Sequence, residues 1–403
     1  MANVSSSNGL EKRPKLRFPG FDEPWKETAL SALFSKSTQK NADGHITNVI
    51  CNSAKLGLIP QREYFDKDIA NSDNTSGYYI IRQNDFVYNP RKSSDAPYGP
   101  ISSYKYAEDG IVSPLYLCFH AKDEINPLYY EWYFRSPAWH RYIYMSGDSG
   151  ARHDRVSIKD DTFFAMPINL PSEQEQSKIA SFLQSLDERI AAQEKLVASL
   201  KKYKRGVNNQ ILSQIDNSYN CRLGSVCEIV GGGTPDTLHT EYWGNTVEWF
   251  TPSEIGKTKY VNNSVRKLSD IGLDNSSAKL LPIGTVLLTT RATLGEMSIA
   301  KRECSTNQGF QSLIPHTDRV SSEYLYYMQI IIKPWCEKYA SGNTFREISK
   351  SALSDCIIPI PDRARQEQIV KLLSSIDLII GGAESISMSL SKIRHGLMQQ
   401  LFI

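Results

Sequence analysis

Two segments of the chain carry the apolar pattern of a long helix that packs against another helix. In residues 361–403, apolar side chains recur at alternating intervals of three and four residues, which is the heptad pattern of a coiled coil. Residues 171–214 repeat that pattern, with a polar interruption near their middle. We therefore predict two long helices whose apolar stripes face each other. The predicted contact residues are Ile179, Phe182, Leu186 and Leu200 in the first helix and Ile369, Leu372, Ile376 and Leu390 in the second.

The two helical segments are copies of one sequence. "PSEQEQSKIASFLQSLD" at 171–187 aligns without a gap on "PDRARQEQIVKLLSSID" at 361–377, a shift of 190 residues. The regions before the helices echo each other more weakly, for example "IIRQNDFVYNPR" ending at Arg91 and "LLPIGTVLLTTR" ending at Arg291. Any function assigned to the chain has to explain this duplication.

The repeat predicts the domain organisation. Between the helices the chain has short β-rich runs separated by Gly, Pro, Asn and Asp clusters, so we predict an α+β fold. Each globular domain is followed by a long helix, and the two helices pack as an antiparallel coiled coil with pseudo-two-fold symmetry. The predicted segments are a disordered tail at 1–15, a first domain at 16–170, a first helix at 171–214, a second domain at 215–360 and a second helix at 361–403.

Small residues lie at the middle of both helices. The first helix has Ala191-Ala192 where the second has Gly381-Gly382. In an antiparallel pair the midpoints face each other, so we interpret these residues as a helix crossing at which the backbones approach closely. The alternative is that the glycines, which each cost about 1 kcal/mol relative to Ala in a helix, break the second helix into two pieces.

Composition narrows the class of protein only slightly. The formal net charge of +2 excludes an overall polycation but leaves a basic surface patch open. Seven scattered cysteines without a Cys-x-x-Cys motif fit reduced thiols, and no apolar run is long enough to cross a bilayer. We expect a cytoplasmic protein without a metal site or a membrane partner.

The sequence carries no recognisable catalytic motif, so we assign no catalytic residue. "GGGTP" at 231–235 is not followed by the Gly-Lys-Ser/Thr of a phosphate-binding loop, and His-Glu-x-x-His does not occur. A helical spacer about 60 Å long would hold two globular domains at a fixed distance. Such a pair suits duplex DNA, on which dimeric proteins bind half-sites about 34 Å apart for each turn of the double helix.

Four motifs, taken in order, closely resemble the specificity subunit of type I restriction–modification systems. They are "LRFPGFDEPW" (16–25), "LPSEQEQSKIASFLQSLDERI" (170–190), "GGGTPDTLHTEYWG" (231–244) and "IPIPDRARQEQIVKLLSSID" (358–377). The resemblance implies two target-recognition domains that read a bipartite, asymmetric site in double-stranded DNA. It also implies that the helices dock two methyltransferase (modification) subunits, with restriction subunits as further partners.

The resemblance implies that this chain has no cofactor of its own. S-adenosylmethionine, and ATP with Mg, are expected in the partner subunits, and the chain itself is expected to be non-catalytic. Two alternatives stay open: a free-standing DNA-binding scaffold without active partners, and a diverged DNA adenine methyltransferase.

Candidate DNA contacts lie just beyond the matched strands. Arg and Lys commonly read guanine, and Asn and Gln commonly read adenine. Arg91 and Arg291 stand out because they coincide in the two halves, although an ordinary turn or surface role is the competing interpretation of every candidate. The basic run "KKYKR" (201–205) is either a phosphate contact or a solvated helix end. The candidates are Asn89, Arg91, Lys92, Thr289, Thr290, Arg291, Asn307 and Gln308.

Overall fold

The computed structural model describes residues 13–64, 75–147, 154–342 and 346–403. Most of the predicted tail, residues 1–12, lies outside the described residues. The chain forms two compact units. The first unit comprises Met1–Gln193 and Ile386–Ile403, and the second unit comprises Glu194–Ser385.

The first unit combines short strands with short helices and half of a long helix. Its strands are β1 Lys26–Ala29, β2 Phe34–Ser37, β3 Ile50–Ser53, β4 Gly57–Pro60, β5 Tyr79–Ile81, β6 Phe86–Tyr88, β7 Ile101–Ser103, β8 Gly110–Val112, β9 Leu117–Ala121 and β10 Pro167–Leu170. Its helices are α1 Leu30–Leu33, α2 Gln61–Tyr64, α3 Pro127–Arg135, α4 His140–Ser146, α5 Asp160–Phe164 and the long α6 Glu173–Ser213.

The second unit is built in the same way. Its strands are β11 Asn220–Arg222, β12 Cys227–Gly231, β13 Trp243–Gly244, β14 Val247–Phe250, β15 Tyr260–Val261, β16 Arg266–Leu268, β17 Val286–Leu288, β18 Met297–Ala300, β19 Cys304–Thr306, β20 Gln311–Pro315 and β21 Ile357–Pro359. Its helices are α7 Asp270–Asp274, α8 Ser322–Tyr327, α9 Gln329–Tyr339, α10 Lys350–Ser354 and the long α11 Arg363–Leu401.

The main sheets of the two units share an antiparallel order of four strands, which extends the repeat beyond the helices, and the second unit adds β15 at one edge. The main sheet of the first unit has the order β2-β9-β6-β7, and that of the second has the order β12-β20-β17-β18-β15. In these orders β6 and β17 take the same place, and they are the strands that end just before Arg91 and Arg291. In each unit, a two-stranded antiparallel ribbon (β1 with β10, β11 with β21) leads into the long helix.

Repeated side chains start both long helices. The Gln176 amide donates to the carbonyl of Pro171 at 3.1 Å, and the Gln366 amide donates to that of Pro361 at 2.9 Å. Both glutamines are buried. In a buried helix start, polar groups need such partners, which explains why this glutamine appears in both copies.

The long helices pack antiparallel, as predicted. In the first unit, Asp187 near the start of α6 pairs with Arg394 near the end of α11. In the second unit, Lys204 of α6 pairs with Asp377 of α11 at 2.5 Å. The shift of 190 residues carries Asp187 onto Asp377 and Lys204 onto Arg394, so the two ion pairs are copies of one contact. Helix α11 runs without interruption through its glycines, so the alternative of a broken second helix is wrong.

The predicted apolar contact residues are only partly right. Ile179, Ile369 and Ile376 are buried, and Leu186, Leu200 and Leu390 are half-buried. Phe182 and Leu372, however, are exposed. Their places are taken by the next residues, Leu183 and Leu373, which are fully buried in the cores of their units.

The predicted helix crossing is wrong in its residues. Ala191, Ala192, Gly381 and Gly382 are all exposed, and a Cβ added at either glycine would meet no atom within 4 Å. The buried positions near the middle of the helices are Ile190 and Gln193 in α6 and Ile380 and Ala383 in α11. The alanine–glycine match therefore marks the solvent side of the helices.

The aromatic stretch at 127–144 contributes to the core and forms two helices, α3 and α4. Tyr129, Trp132, Tyr133 and Trp139 are almost fully buried in the first unit. None of the helices in the described parts of the chain is long and apolar enough to cross a membrane.

We predict that Gly381→Ala and Gly382→Ala each raise the free energy of unfolding by about 1 kcal/mol, because each glycine lies in an open helix interior. Equilibrium urea unfolding measures this. Gly272→Ala in α7 is the matched contrast and should destabilise, since its Cβ would lie 2.1 Å from the carbonyl oxygen of Tyr242. A loss of stability in Gly381→Ala would contradict the exposed position of this residue.

Candidate nucleic-acid interface

In the first unit, the residues after β6 lie along an open cavity of about 800 Å³. Three of the predicted contacts, Asn89, Arg91 and Lys92, line it, which brings them together as expected. Its charged lining residues are Lys55, Arg91, Lys92, Arg155 and Asp95, so cations predominate.

Neutral groups complete the cavity wall. Burial raises the pKa of the Cys51 thiol and of the Tyr116 hydroxyl, which both line the cavity. Both groups therefore stay uncharged near neutral pH. The cavity keeps its positive character, which is the electrostatic property that a phosphate backbone requires.

Asn89 shapes the turn that presents Arg91. Its side-chain amide donates to the carbonyl of Asn52 at 3.3 Å, and its side-chain oxygen accepts from the backbone N–H of Arg91 at 3.0 Å. Both ends of the side chain are therefore used within the protein. Arg91 itself is exposed, and its Nε lies 4.0 Å from a carboxylate oxygen of Asp154.

In the second unit, Thr289 and Thr290 are fully buried, so the prediction that they contact DNA is wrong. The Thr289 hydroxyl accepts from the backbone N–H of Glu296 at 3.0 Å. The Thr290 hydroxyl donates to the Glu347 carboxylate at 3.2 Å. The two threonines close the end of β17. Arg291, which follows them, is half-buried, with a side chain that is 43% exposed.

Two loops of the second unit meet beside Arg291. The backbone N–H of Thr290 donates to the carbonyl of Gly309 at 2.8 Å, which places the 306–311 segment next to the end of β17. Gln308 is exposed there, and its side chain accepts from the Thr234 hydroxyl. Asn307 is half-buried, and its side-chain oxygen accepts from Gly309 N–H at 2.9 Å. Gln308 is thus the exposed candidate of the second unit, and Arg291 is a half-buried candidate with a partly exposed side chain.

The glycines at 231–233 allow the backbone of residues 232–234 to pack closely against the 306–311 segment. A Cβ on Gly232 would lie 1.9 Å from the Asn307 carbonyl oxygen, and one on Gly233 would lie 2.4 Å from the Ala278 nitrogen. This close approach positions Thr234 beside Gln308. The run is therefore a structural element of the candidate interface.

Sequence reasoning missed Arg266. Its exposed guanidinium lies 3.4 Å from the ring centroid of Trp243 and 5.7 Å from that of Trp249. The indole N–H of Trp249 donates to the Gly233 carbonyl at 3.0 Å, which connects this cluster to the glycine run. Stacking pre-orients a guanidinium for hydrogen bonding in its own plane. The sequence offers no periodic signal for it, because β16 has only three residues, with the sequence Arg-Lys-Leu.

The basic run at 201–205 lies well inside α6, which continues to Ser213. Lys201 pairs with Glu384 at 2.7 Å, and Lys204 pairs with Asp377 at 2.5 Å. Half of the cations in this run therefore hold the helix pair of the second unit together, and the interpretation as a helix end is wrong. Lys202 and Arg205 are exposed.

We predict that Gly233→Ala lowers the free energy of unfolding by about 1–3 kcal/mol, because the added methyl overpacks a buried backbone contact. Thermal or urea unfolding of the full chain measures this. Gly231→Ala is the matched control, since its Cβ would have no neighbour closer than 3.8 Å. Equal effects of the two variants would contradict the close approach at Gly233.

Comparisons with known sequences agree on one class of protein. The type I restriction enzyme MjaIX specificity subunit of Methanocaldococcus jannaschii is 34% identical over 186 residues, which cover 45% of this chain and 43% of that protein. The EcoR124I/EcoR124II specificity subunit of Escherichia coli is 26% identical over 243 residues, or 56% of this chain and 59% of that protein. The chain thus spans about half the length of these curated relatives.

Solved structures show the same fold over nearly the whole chain. A chain of a type I R-M system superposes with a TM-score of 0.64 at 19% identity, covering 96% of this chain and 99% of that one. The type I restriction-modification system S subunit from M. genitalium superposes with a TM-score of 0.52 at 15% identity, covering 97% and 99%.

The family model for the type I restriction modification DNA specificity domain matches residues 33–202 and again residues 216–385. These ranges fall on the two copies of the internal repeat. The chain therefore belongs to this family.

Proposed function

We propose that the chain is the DNA sequence-specificity subunit of a type I restriction–modification complex and reads a bipartite, asymmetric site. The observation that carries the proposal is that the DNA specificity domain occurs twice, each time with an arginine just after the same strand of the sheet. The side chains of these arginines, Arg91 and Arg291, are 69% and 43% exposed. Two copies of a reading domain fit a site with two halves. Because the copies differ in sequence, the two halves differ as well.

Each unit supplies residue types suited to direct readout. Arg91 in the first unit is exposed, and Arg291 in the second unit has a side chain that is 43% exposed. Guanidinium groups pair in a bidentate way with guanine in the major groove. Gln308 adds an exposed amide in the second unit, suited to adenine. Lys55 and Lys92, in the cationic cavity of the first unit, are suited to phosphates, which set register and contribute affinity.

The chemistry belongs to partner subunits in this proposal. The matched relatives are named specificity subunits, and the sequence has no recognisable catalytic motif. Methyltransferase subunits would bring S-adenosylmethionine, and restriction subunits would bring ATP with Mg. This chain would bind the DNA and orient those subunits on it.

Helix α11 carries an exposed apolar stripe that suits a docked partner. Leu372, Ile379, Ile386 and Ile393 are spaced by seven residues and are 47% to 59% exposed. A seven-residue spacing keeps side chains on one face of a helix, and an exposed apolar face of this kind marks an interaction surface. We call these four residues the outer stripe of α11.

Helix α6 carries a matching outer stripe, formed by Phe182, Leu196 and Tyr203. The shift of 190 residues carries these three residues onto Leu372, Ile386 and Ile393. Two equivalent stripes favour two copies of the same partner, and two methyltransferase subunits fit that requirement. The ion pairs and the buried apolar residues lie on other faces of the helices, so the outer stripes stay available.

Deletion of the gene, followed by single-molecule mapping of N6-methyladenine across the source genome, tests the proposal. We expect one bipartite, asymmetric motif to lose its methylation and to regain it on complementation. An unchanged methylome would contradict the proposed function and favour a scaffold without active partners. Methylation of DNA by the purified chain alone with S-adenosylmethionine would instead favour a diverged methyltransferase.

We predict that Ile379→Glu combined with Ile386→Glu weakens co-purification with the methyltransferase subunit on the order of 100-fold, because two carboxylates would be desolvated on docking. The free energy of unfolding should stay unchanged, since both side chains are exposed. Ser385→Glu is the matched control on an exposed neighbouring position. Undiminished binding by the double variant would rule out the outer stripe as the docking surface.

A further inference from the structure

The half-buried Arg291 of the second unit is held by a carboxylate. Nε of Arg291 lies 2.9 Å from Glu347 Oε2, and Oε1 of the same carboxylate accepts from the Thr290 hydroxyl at 3.2 Å. Glu347 is itself fixed by a pair of backbone hydrogen bonds with Ser341, at 3.0 and 2.9 Å. The guanidinium therefore has a partner with a defined place.

The first unit has a looser counterpart, in which the carboxylate of Asp154 lies between two arginines and is 3.8 Å from Nε of Arg155. Arg91 has its Nε 4.0 Å from Asp154 Oδ2, and the backbone N–H of Lys92 donates to the Asp154 carbonyl at 2.9 Å. Asp154 lies between α4 and α5, and Glu347 lies in the corresponding connection between α9 and α10, although not at the matching position. Sequence comparison does not reveal this correspondence. The separation of Asp154 and Glu347 along the chain differs from that of Arg91 and Arg291, and one acid is an aspartate whereas the other is a glutamate.

Stability does not explain why both units keep such a pair. The side chains of Arg291 and Glu347 are 43% and 34% exposed, and those of Arg91 and Asp154 are 69% and 53% exposed. Exposed ion pairs contribute little to folding, because water screens them and ordering the side chains costs entropy. A role at the bound surface accounts better for the repeated pair.

A carboxylate beside a reading arginine has two physical effects. It restricts the guanidinium to one orientation, which bidentate pairing with a base edge requires. It also competes with phosphates, which attract a free arginine on DNA of any sequence. Both effects favour discrimination over bare affinity.

We propose that Glu347 is a positioning residue that orients Arg291 toward a base edge, and that Asp154 does the same for Arg91. This inference rests on the proposed function and deepens it. Each acid acts through its arginine and affects only the half-site that its own unit reads.

A double-mutant cycle in the assembled complex tests this inference. Glu347→Gln, Arg291→Ala and the double variant are compared for binding to the methylated motif and to unrelated DNA over a range of salt concentrations. We expect Glu347→Gln to lower the preference for the motif by about 10-fold, within the range of one bidentate base contact. Binding to unrelated DNA should rise, with a steeper salt dependence. In the Arg291→Ala background, Glu347→Gln should lower the preference no further.

Asp355→Asn is the control, since Asp355 also forms an ion pair on the surface of the same unit, with Arg222 at 3.3 Å. It should leave the preference unchanged. Asp154→Asn supplies a second, independent variant, and methylome mapping should show relaxed sequence in the other half-site only.

Three results would overturn the inference. In the first, Glu347→Gln leaves the preference intact although Arg291→Ala lowers it. In the second, the two changes act additively, which would mean that Glu347 does not work through Arg291. In the third, Arg291→Ala leaves the preference unchanged. All three results presuppose a wild-type complex that methylates its motif. If the proposed function failed, methylation of the motif would not depend on this chain, so the two kinds of failure are distinguishable.

Discussion

The contact between the two long helices is the constraint from which the rest of the molecule follows. Asp187 pairs with Arg394 in the first unit, and Asp377 pairs with Lys204 in the second. The same two positions of the repeat supply both pairs, in exchanged roles, as in the isologous interface of a symmetric dimer. A single duplicated chain thus reproduces the contacts that two identical subunits would make.

Duplication also explains how one chain combines a symmetric framework with unequal surfaces. The helix starts and the ion pairs between the helices follow the repeat closely, because both copies make the same contacts within the chain. The loops after β6 and β17 have diverged, from "NPR" with Asp154 to "TTR" with Glu347. Loops tolerate such change because they lie outside the packed core. Different loops on a common framework are what the reading of two different half-sites requires.

Part of this structure could be predicted from the sequence, and the failures have physical reasons. The long helices were predictable because a heptad pattern sustained over about forty residues is specific to long packed helices, and the repeat indicated their pairing. The choice between Leu372 and Leu373 could not be predicted, because α11 has two apolar stripes, and periodicity does not tell which one is buried.

Arg91 and Arg291 could be singled out as candidate DNA contacts by their coincidence in the two halves. Their acidic partners, Asp154 and Glu347, could not be predicted, because they are distant from the arginines in sequence and are brought close only by the tertiary fold.

The central claim is that each unit reads its own half of the DNA site, and a domain exchange tests it most directly. Residues 16–170 would be replaced by the corresponding domain of another family member, with both long helices retained, and the methylated motif would be mapped in cells. The account predicts that one half-site changes while the other half-site stays the same. A change in both half-sites together would contradict independent reading by the two units.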